Sequence, residues 1–260
     1  MKNSLQKDFE ARKNFYTNRA SAVFPIHFMF KENDLLLSWL NYWSIKNKLD
    51  SDLIVVNLRL YNNDGEVVKL AQTSLQKSNN LVSIREYIKD DIFKGMVEIE
   101  IISSSNLKFS FPAITGFYKS GSLYSCVHSA GRIRGSDEVQ TAVKTEETNW
   151  SCKFAEGITP FFHYVNGTSS EDVCLLVTLY RSNGESVDTR EVRELFNPFA
   201  SKIYYVDQLF NNVSFEEDMF VGVKCNNDKV FRRMVVGNYH KKNYHLEVAH
   251  SFPWQTNEDH

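Results

Sequence analysis

The chain has 260 residues, 42% of them hydrophobic and 13% aromatic, with 30 Lys and Arg against 32 Asp and Glu for a net charge of −2. That balance gives no general attraction to nucleic acid or to an anionic membrane, and five prolines and eleven glycines are too few for a low-complexity chain. No apolar run approaches the ~20 residues of a membrane helix, and the polar start Met1–Glu10 lacks the apolar stretch of a secretory signal.

In chain order, Leu5, Phe9, Phe15 and Tyr16 lie among Lys, Arg, Glu and Asn with helical spacing, and Ser4 is placed to cap the start. The expectation is a short amphipathic helix in residues 1–21, packed on the first domain or on another subunit. Phe24, Ile26, Phe28 and Phe30 then alternate with smaller or polar residues, the pattern of a strand. Further strand patterns follow at Leu35–Tyr42, Leu53–Tyr61, Leu81–Ile84, Met96–Ile102, Ile114–Tyr118 and Leu123–His128. Residues 133–149 are polar and read as a linker.

The chain then repeats itself. Leu58-Arg-Leu60-Tyr61-Asn-Asn-Asp-Gly65-Glu66 is answered by Val177-Thr-Leu179-Tyr180-Arg-Ser-Asn-Gly184-Glu185, and in both an alternating strand runs into a turn ending in glycine. In the same order Tyr164 answers Tyr42, Ile203–Val206 answers Leu81–Ile84, Val235–Tyr239 answers Ile114–Tyr118, and His250-Ser251 answers His128-Ser129. The fold expected is therefore all-β: two tandem, internally duplicated antiparallel β-sandwich domains at 22–132 and 150–260, with the short N-terminal helix ahead of them.

The second repeat carries Trp150-Ser-Cys-Lys-Phe-Ala-Glu156-Gly157, then Glu171–Tyr180, then Ala200–Leu209. That order resembles the small β-sandwich family of sensory rhodopsin transducers, over about 70 residues of one repeat. The first repeat has Phe30-Lys-Glu32-Asn33 where the Ala-Glu-Gly would lie. The resemblance implies a non-catalytic sandwich that assembles and binds partners or small polar ligands.

The residues singled out for chemistry are the repeated His-Ser pairs and their neighbours. His128, Ser129 and Arg132 close the first repeat; His250, Ser251 and Trp254 close the second; His163 and Tyr164 lie on a strand of the second. An imidazole, a hydroxyl, an arginine fork and an indole suit a sugar or an anionic ligand held where the repeats converge; alternatively, the histidines bond to backbone and fix the strand ends. His245 and His250 are five residues apart, which puts them on opposite faces of a strand. There is no close HxH motif for a metal, no GxSxG and no glycine-rich phosphate loop, so neither a metal nor another cofactor is expected. Cys126 and His128 share a strand face, but a packed thiol is the simpler reading. Arg232-Arg233 and Lys241-Lys242, with Tyr239 and Tyr244, form a basic-aromatic patch for which a solvated face is expected rather than nucleic-acid binding. The expected function is a binding or assembly module for a carbohydrate or other small polar ligand. The alternative is a carbohydrate-modifying enzyme using His250 or His163 as general base, or a metal. Self-association through residues 4–20 is a further expectation. Cysteines 126, 152, 174 and 225 form no CxxC pair, which suits a reduced, cytoplasmic location.

Overall fold

The computed structural model describes residues 16–17, 19–40, 54–73, 79–103, 109–110, 114–128, 132–133, 145–225, 230–231, 234–250 and 252–255. These residues are nearly all strand. The N-terminal half provides β1 (Tyr16–Thr17), β2 (Arg19–Phe28), β3 (Asn33–Leu40), β4 (Ile54–Asn62), β5 (Val67–Thr73), β6 (Asn79–Ser83), β7 (Phe93–Ser103), β8 (Phe109–Ser110), β9 (Ile114–Ser120), β10 (Leu123–His128) and β11 (Arg132–Ile133). The C-terminal half provides β12 (Thr145–Lys153), β13 (Ile158–Val165), β14 (Glu171–Arg181), β15 (Ser186–Phe196), β16 (Ser201–Tyr205), β17 (Asp218–Cys225), β18 (Val230–Phe231), β19 (Val235–His240), β20 (His245–His250) and β21 (Phe252–Gln255). A 3-10 turn at Ile84–Tyr87 follows β6, and a four-residue helix, α1 (Val206–Leu209), follows β16.

Four antiparallel sheets carry the fold. Sheet I has the order β2-β7-β4-β5, sheet II β10-β9-β3-β6, sheet III β16-β13-β19-β20 and sheet IV β15-β14-β17-β12-β21. Two short pairs, β1 with β8 and β11 with β18, complete the pairing among the described residues. The alternation in the sequence does the sorting. Leu35, Leu37 and Trp39 of β3 meet Phe24, Ile26, Leu58, Leu60, Val97 and Ile99 of sheet I in the N-terminal core. Trp150, Leu175, Val177, Val221 and Val223 of sheet IV meet Phe162, Tyr164 and Val236 of sheet III in the C-terminal core. Such strands, polar on one face and apolar on the other, bury the apolar face only by pairing sheet against sheet.

Two strands break the alternation. Residues 21–28 of β2 are all buried, and six consecutive residues of β13, Thr159–Tyr164, are buried as well. β2 of sheet I and β13 of sheet III are covered on both faces because the two sheets also meet each other. Val23, Tyr61 and Met96 of sheet I are covered by Val165 and Phe199 of the other half. Phe161, Val235, Tyr239, Leu246 and Val248, on the face of sheet III away from sheet IV, join the N-terminal core. The layers therefore stack in the order II, I, III, IV.

Two expected boundaries move. The stretch assigned to an N-terminal helix is strand at Tyr16–Thr17 and from Arg19 onward; residues 1–15 lie outside the described set. The polar linker expected at 133–149 ends earlier, because β12 starts at Thr145. Its polar residues sit on a strand all the same, since Thr148, Trp150 and Cys152 turn into the core on alternate positions.

Candidate functional site

The seam where the two halves meet concentrates the buried polar chemistry. Alongside it β10 and β20 lie side by side. The Ser120 hydroxyl donates to the Asn243 carbonyl at 2.5 Å, and the Ser125 hydroxyl donates to the Leu246 carbonyl and accepts from the Val248 N–H at 3.4 Å. Ser120, at the end of β9 beside Leu123, meets Asn243 just before β20, and Ser125 farther along β10 meets Leu246 and Val248, so β10 and β20 run in the same direction. That course brings His128 and His250, the last residues of the two strands, to the same end of the seam.

At the other end the seam opens into a small, shallow cleft. The N-terminal half contributes His27, Phe28, Asn33, Asp34, Tyr118 and Lys119, and the C-terminal half Tyr244, His245 and Leu246. Asn33 holds the β2–β3 turn, accepting from the Met29 N–H at 2.8 Å and the Phe30 N–H at 3.2 Å, and reaches across the seam to the Tyr244 carbonyl at 3.4 Å. Tyr244 has φ 53°, a left-handed conformation unusual for a side chain of that size, at the end of the turn between β19 and β20. Asp34 is committed to the scaffold, accepting from Leu35 N–H, Arg85 N–H and the Ser83 hydroxyl at 2.7, 3.0 and 2.7 Å.

Three histidines line the seam, and each has a buried ring nitrogen with no hydrogen-bond partner among the described residues: His27 Nδ1, His163 Nε2 and His245 Nδ1. His27 packs edge-on against the Tyr239 ring at 5.1 Å, and its Nε2 lies 3.4 Å from the Tyr205 hydroxyl. Burial, with the Lys94 ammonium adding to it, lowers its pKa to about 4. Burial alone lowers His163 to about 3. His245 is lowered by burial and by neighbouring His240, against the pull of Glu247. All three are therefore neutral at physiological pH, and each ring offers one donor and one acceptor.

None of the expected site residues lines this cleft. His128 is exposed at the end of β10, opposite Thr115. Arg132 pairs with Phe231 in β11, and Trp254 with Glu147 in β21. His163, Val235 and His250 stand in one row across sheet III. Ser129 and Ser251 lie outside the described residues. His163 and Tyr164 do not act together: strand alternation turns Tyr164 into the C-terminal core and His163 into the seam. His163 is 3% exposed, out of a solvent ligand's reach. Sequence reasoning missed His27 and set His245 aside, because pairing across the halves leaves no local spacing signal.

A second polar cluster lies on the seam face of sheet I. Arg59 bridges Glu98 at 3.2 Å and Glu100 at 2.5 Å, and both carboxylates are almost fully buried. Asn57 donates to Glu100 at 3.4 Å. Burial, then the Glu98 charge, pushes the neighbouring Tyr61 hydroxyl up. With the guanidinium shared between the two carboxylates, the cluster reads as an ion-paired seal.

Among the described residues no three His, Cys, Asp or Glu side chains are grouped to hold a metal ion. The four cysteines are free thiols, and no helix among the described residues is long and apolar enough to cross a membrane.

No family model matches the chain, and no curated protein does. Among solved structures, it is similar at a low level to a calcium-binding mutant of Bacteroides uniformis β-glucuronidase 2, with 8% identity and a TM-score of 0.19 over 92% of this chain and 26% of that one. The same enzyme covalently bound to cyclophellitol-6-carboxylate aziridine gives 10% identity and a TM-score of 0.18, over 91% and 27%. The chain thus spans about a quarter of these neighbours' length, and a likeness this small carries no statement about fold or activity.

Proposed function

We propose that the chain is a non-catalytic binding module built as a head-to-tail fusion of two copies of one β-sandwich unit. Its ligand is a small polar or anionic molecule, such as a single sugar ring or its carboxylate or phosphate form, held in the cleft between the copies. The duplication is supported strand for strand. Sheet I in the order β2-β7-β4-β5 has its counterpart in β12-β17-β14-β15, and sheet II in the order β10-β9-β3-β6 has its counterpart in β20-β19-β13-β16. β21 is the added edge. The 3-10 turn after β6 and α1 after β16 occupy the same place in the two copies.

The observation that carries the ligand reading is the make-up of the cleft. Its walls come from both copies, and two neutral histidines, each with an unpartnered buried nitrogen, line it. A sugar ring meets such a site through hydroxyls that both donate and accept, with Tyr244 or Phe28 against its C–H face. The resemblance of the second repeat to transducer sandwiches is in keeping with a binding role, and the free thiols with a reduced, cytoplasmic setting.

The test is a thermal-shift series with neutral hexoses, uronic acids, sugar phosphates and inorganic phosphate. The expected result is a stabilising shift with at least one class, abolished in His245→Ala. No shift with any of them overturns the ligand reading.

A further inference from the structure

We infer that copies of this chain stack end to end, the open face of sheet IV of one copy lying on the open face of sheet II of the next. The inference rests on the duplication proposed above and adds a partner to it.

The contact inside the chain is made by two faces that are not each other's counterparts. Sheet I of the first unit presents Val23, Tyr61 and Met96, and sheet III of the second unit answers with Val165 and the adjoining Phe199. The counterpart of sheet I is sheet IV, and the counterpart of sheet III is sheet II. The two faces left bare at the ends of the stack are thus the same pair of surfaces that meets in the middle. A contact between unlike faces is heterologous, so it does not end at a dimer but repeats into a stack unless its rotation closes a ring.

The bare faces carry apolar side chains at several of the places that are buried in the middle, although Asn149 of sheet IV stands where Val23 stands in sheet I. Met96 lies opposite Tyr61 in sheet I and is fully buried; Phe220 lies opposite Tyr180 in sheet IV and is 40% exposed. On sheet II, Leu40, Leu81 and Tyr124 are 48%, 64% and 58% exposed. They hold the same places in β3, β6 and β10 that Val165, Ile203 and Leu246 hold in β13, β16 and β20. Exposed apolar side chains clustered on a sheet face mark an interaction surface more often than an idle one. One meeting is unfavourable: Lys153, in the place of His27, would face Lys119, in the place of Tyr239. The stacking is therefore weak at low ionic strength and tightens as salt screens the two ammonium groups.

The experiment is sedimentation velocity on the full chain over a concentration series at low and high salt, with Phe220→Lys and Leu81→Lys alongside. Both substitutions are on exposed positions, and unchanged circular dichroism and melting confirm the fold. Expected is a mass that climbs past the dimer without a plateau, more steeply at high salt. Each variant alone stays monomeric, and an equal mixture of the two stops at the dimer, because one good face of each kind remains. A monomer under all conditions, a dimer plateau indifferent to both variants, or a mixture that does not pair overturns the inference. Because the duplication rests on the matched strand orders, a protein that stays monomeric removes the stacking alone.

Discussion

The hairpin at Tyr61–Glu66 and the hairpin at Tyr180–Glu185 are nearly the same peptide in different surroundings. Both close with a backbone bond across the turn, Asn62 N–H to the Glu66 carbonyl at 3.0 Å and Arg181 N–H to the Glu185 carbonyl at 2.9 Å. Both put glycine in the left-handed region, Gly65 at φ 85° and Gly184 at φ 87°, as a three-residue hairpin loop requires. A β-carbon on Gly184 would meet nothing within 4 Å, whereas one on Gly65 would lie 2.0 Å from the Pro198 carbonyl oxygen. The first tip is docked. The Ser201 N–H donates to the Asn63 carbonyl at 3.0 Å, and Phe199 stacks on Tyr61 with ring centres 5.0 Å apart. The second tip stands in solvent with Arg181 held by Glu185 and Glu216. Local sequence sets the shape of a turn; the surroundings set what that turn is worth.

The comparison is broken most sharply by Gly65→Ala, which adds a steric clash with backbone to the left-handed penalty. A loss of about 4 kcal/mol or more is expected from urea unfolding. Arg59→Ala removes the cation shared by two buried carboxylates. Because 29% of that side chain stays in solvent, the expected loss is about 2 kcal/mol, below the range for a fully buried pair. At the second tip, Arg181→Ala leaves the unfolding midpoint unchanged. Phe199→Ala gives up the stack on Tyr61, with an expected cost of about 2 kcal/mol.

Acid sharpens the comparison from the seam itself. His27 and His163 have folded pKa values of about 4 and about 3, below the ~6.5 of an unfolded histidine. Above that value both states are neutral and pH has no effect through these groups. Below it the unfolded chain takes up protons that the folded chain refuses. Stability therefore falls with acid by about 1.4 kcal/mol per pH unit for each histidine, until the folded pKa is reached. His163→Gln removes one such increment from the slope between pH 6 and pH 4 in chemical unfolding. Gly184→Ala carries only the left-handed penalty of about 1 kcal/mol; its difference from Gly65→Ala isolates the docking contact.

Much of the strand content was legible. Leu123–His128 matches β10 residue for residue, and the glycine hairpins fall where their turn chemistry puts them. One apparent match is a residue out. Gly116 and Gly237 align in the sequence, but Leu37, the fifth residue of β3, faces Gly116, while Phe162, the fifth of β13, faces Val236. Tyr118 therefore points into its own core, with its hydroxyl on the Pro25 carbonyl at 3.0 Å, and Tyr239 points into the seam. A shift of one residue turns a side chain to the opposite face, and similarity of letters does not register it. The candidate site was less legible still. The pairs proposed from sequence were neighbours in the chain, whereas His27 and His245 are brought to one cleft from opposite ends of it.

By itself the sequence determined the all-strand character, the turns and the periodicity that gives each strand an inner and an outer face, because these depend on side chains a few residues apart. Only the tertiary structure decided which outer faces stay outside. Val23 and Met96 are covered and Phe220 is not, although all three occupy strands of matching pattern. Burial on a second face depends on surface supplied by the other half of the molecule, and no local pattern encodes that distance.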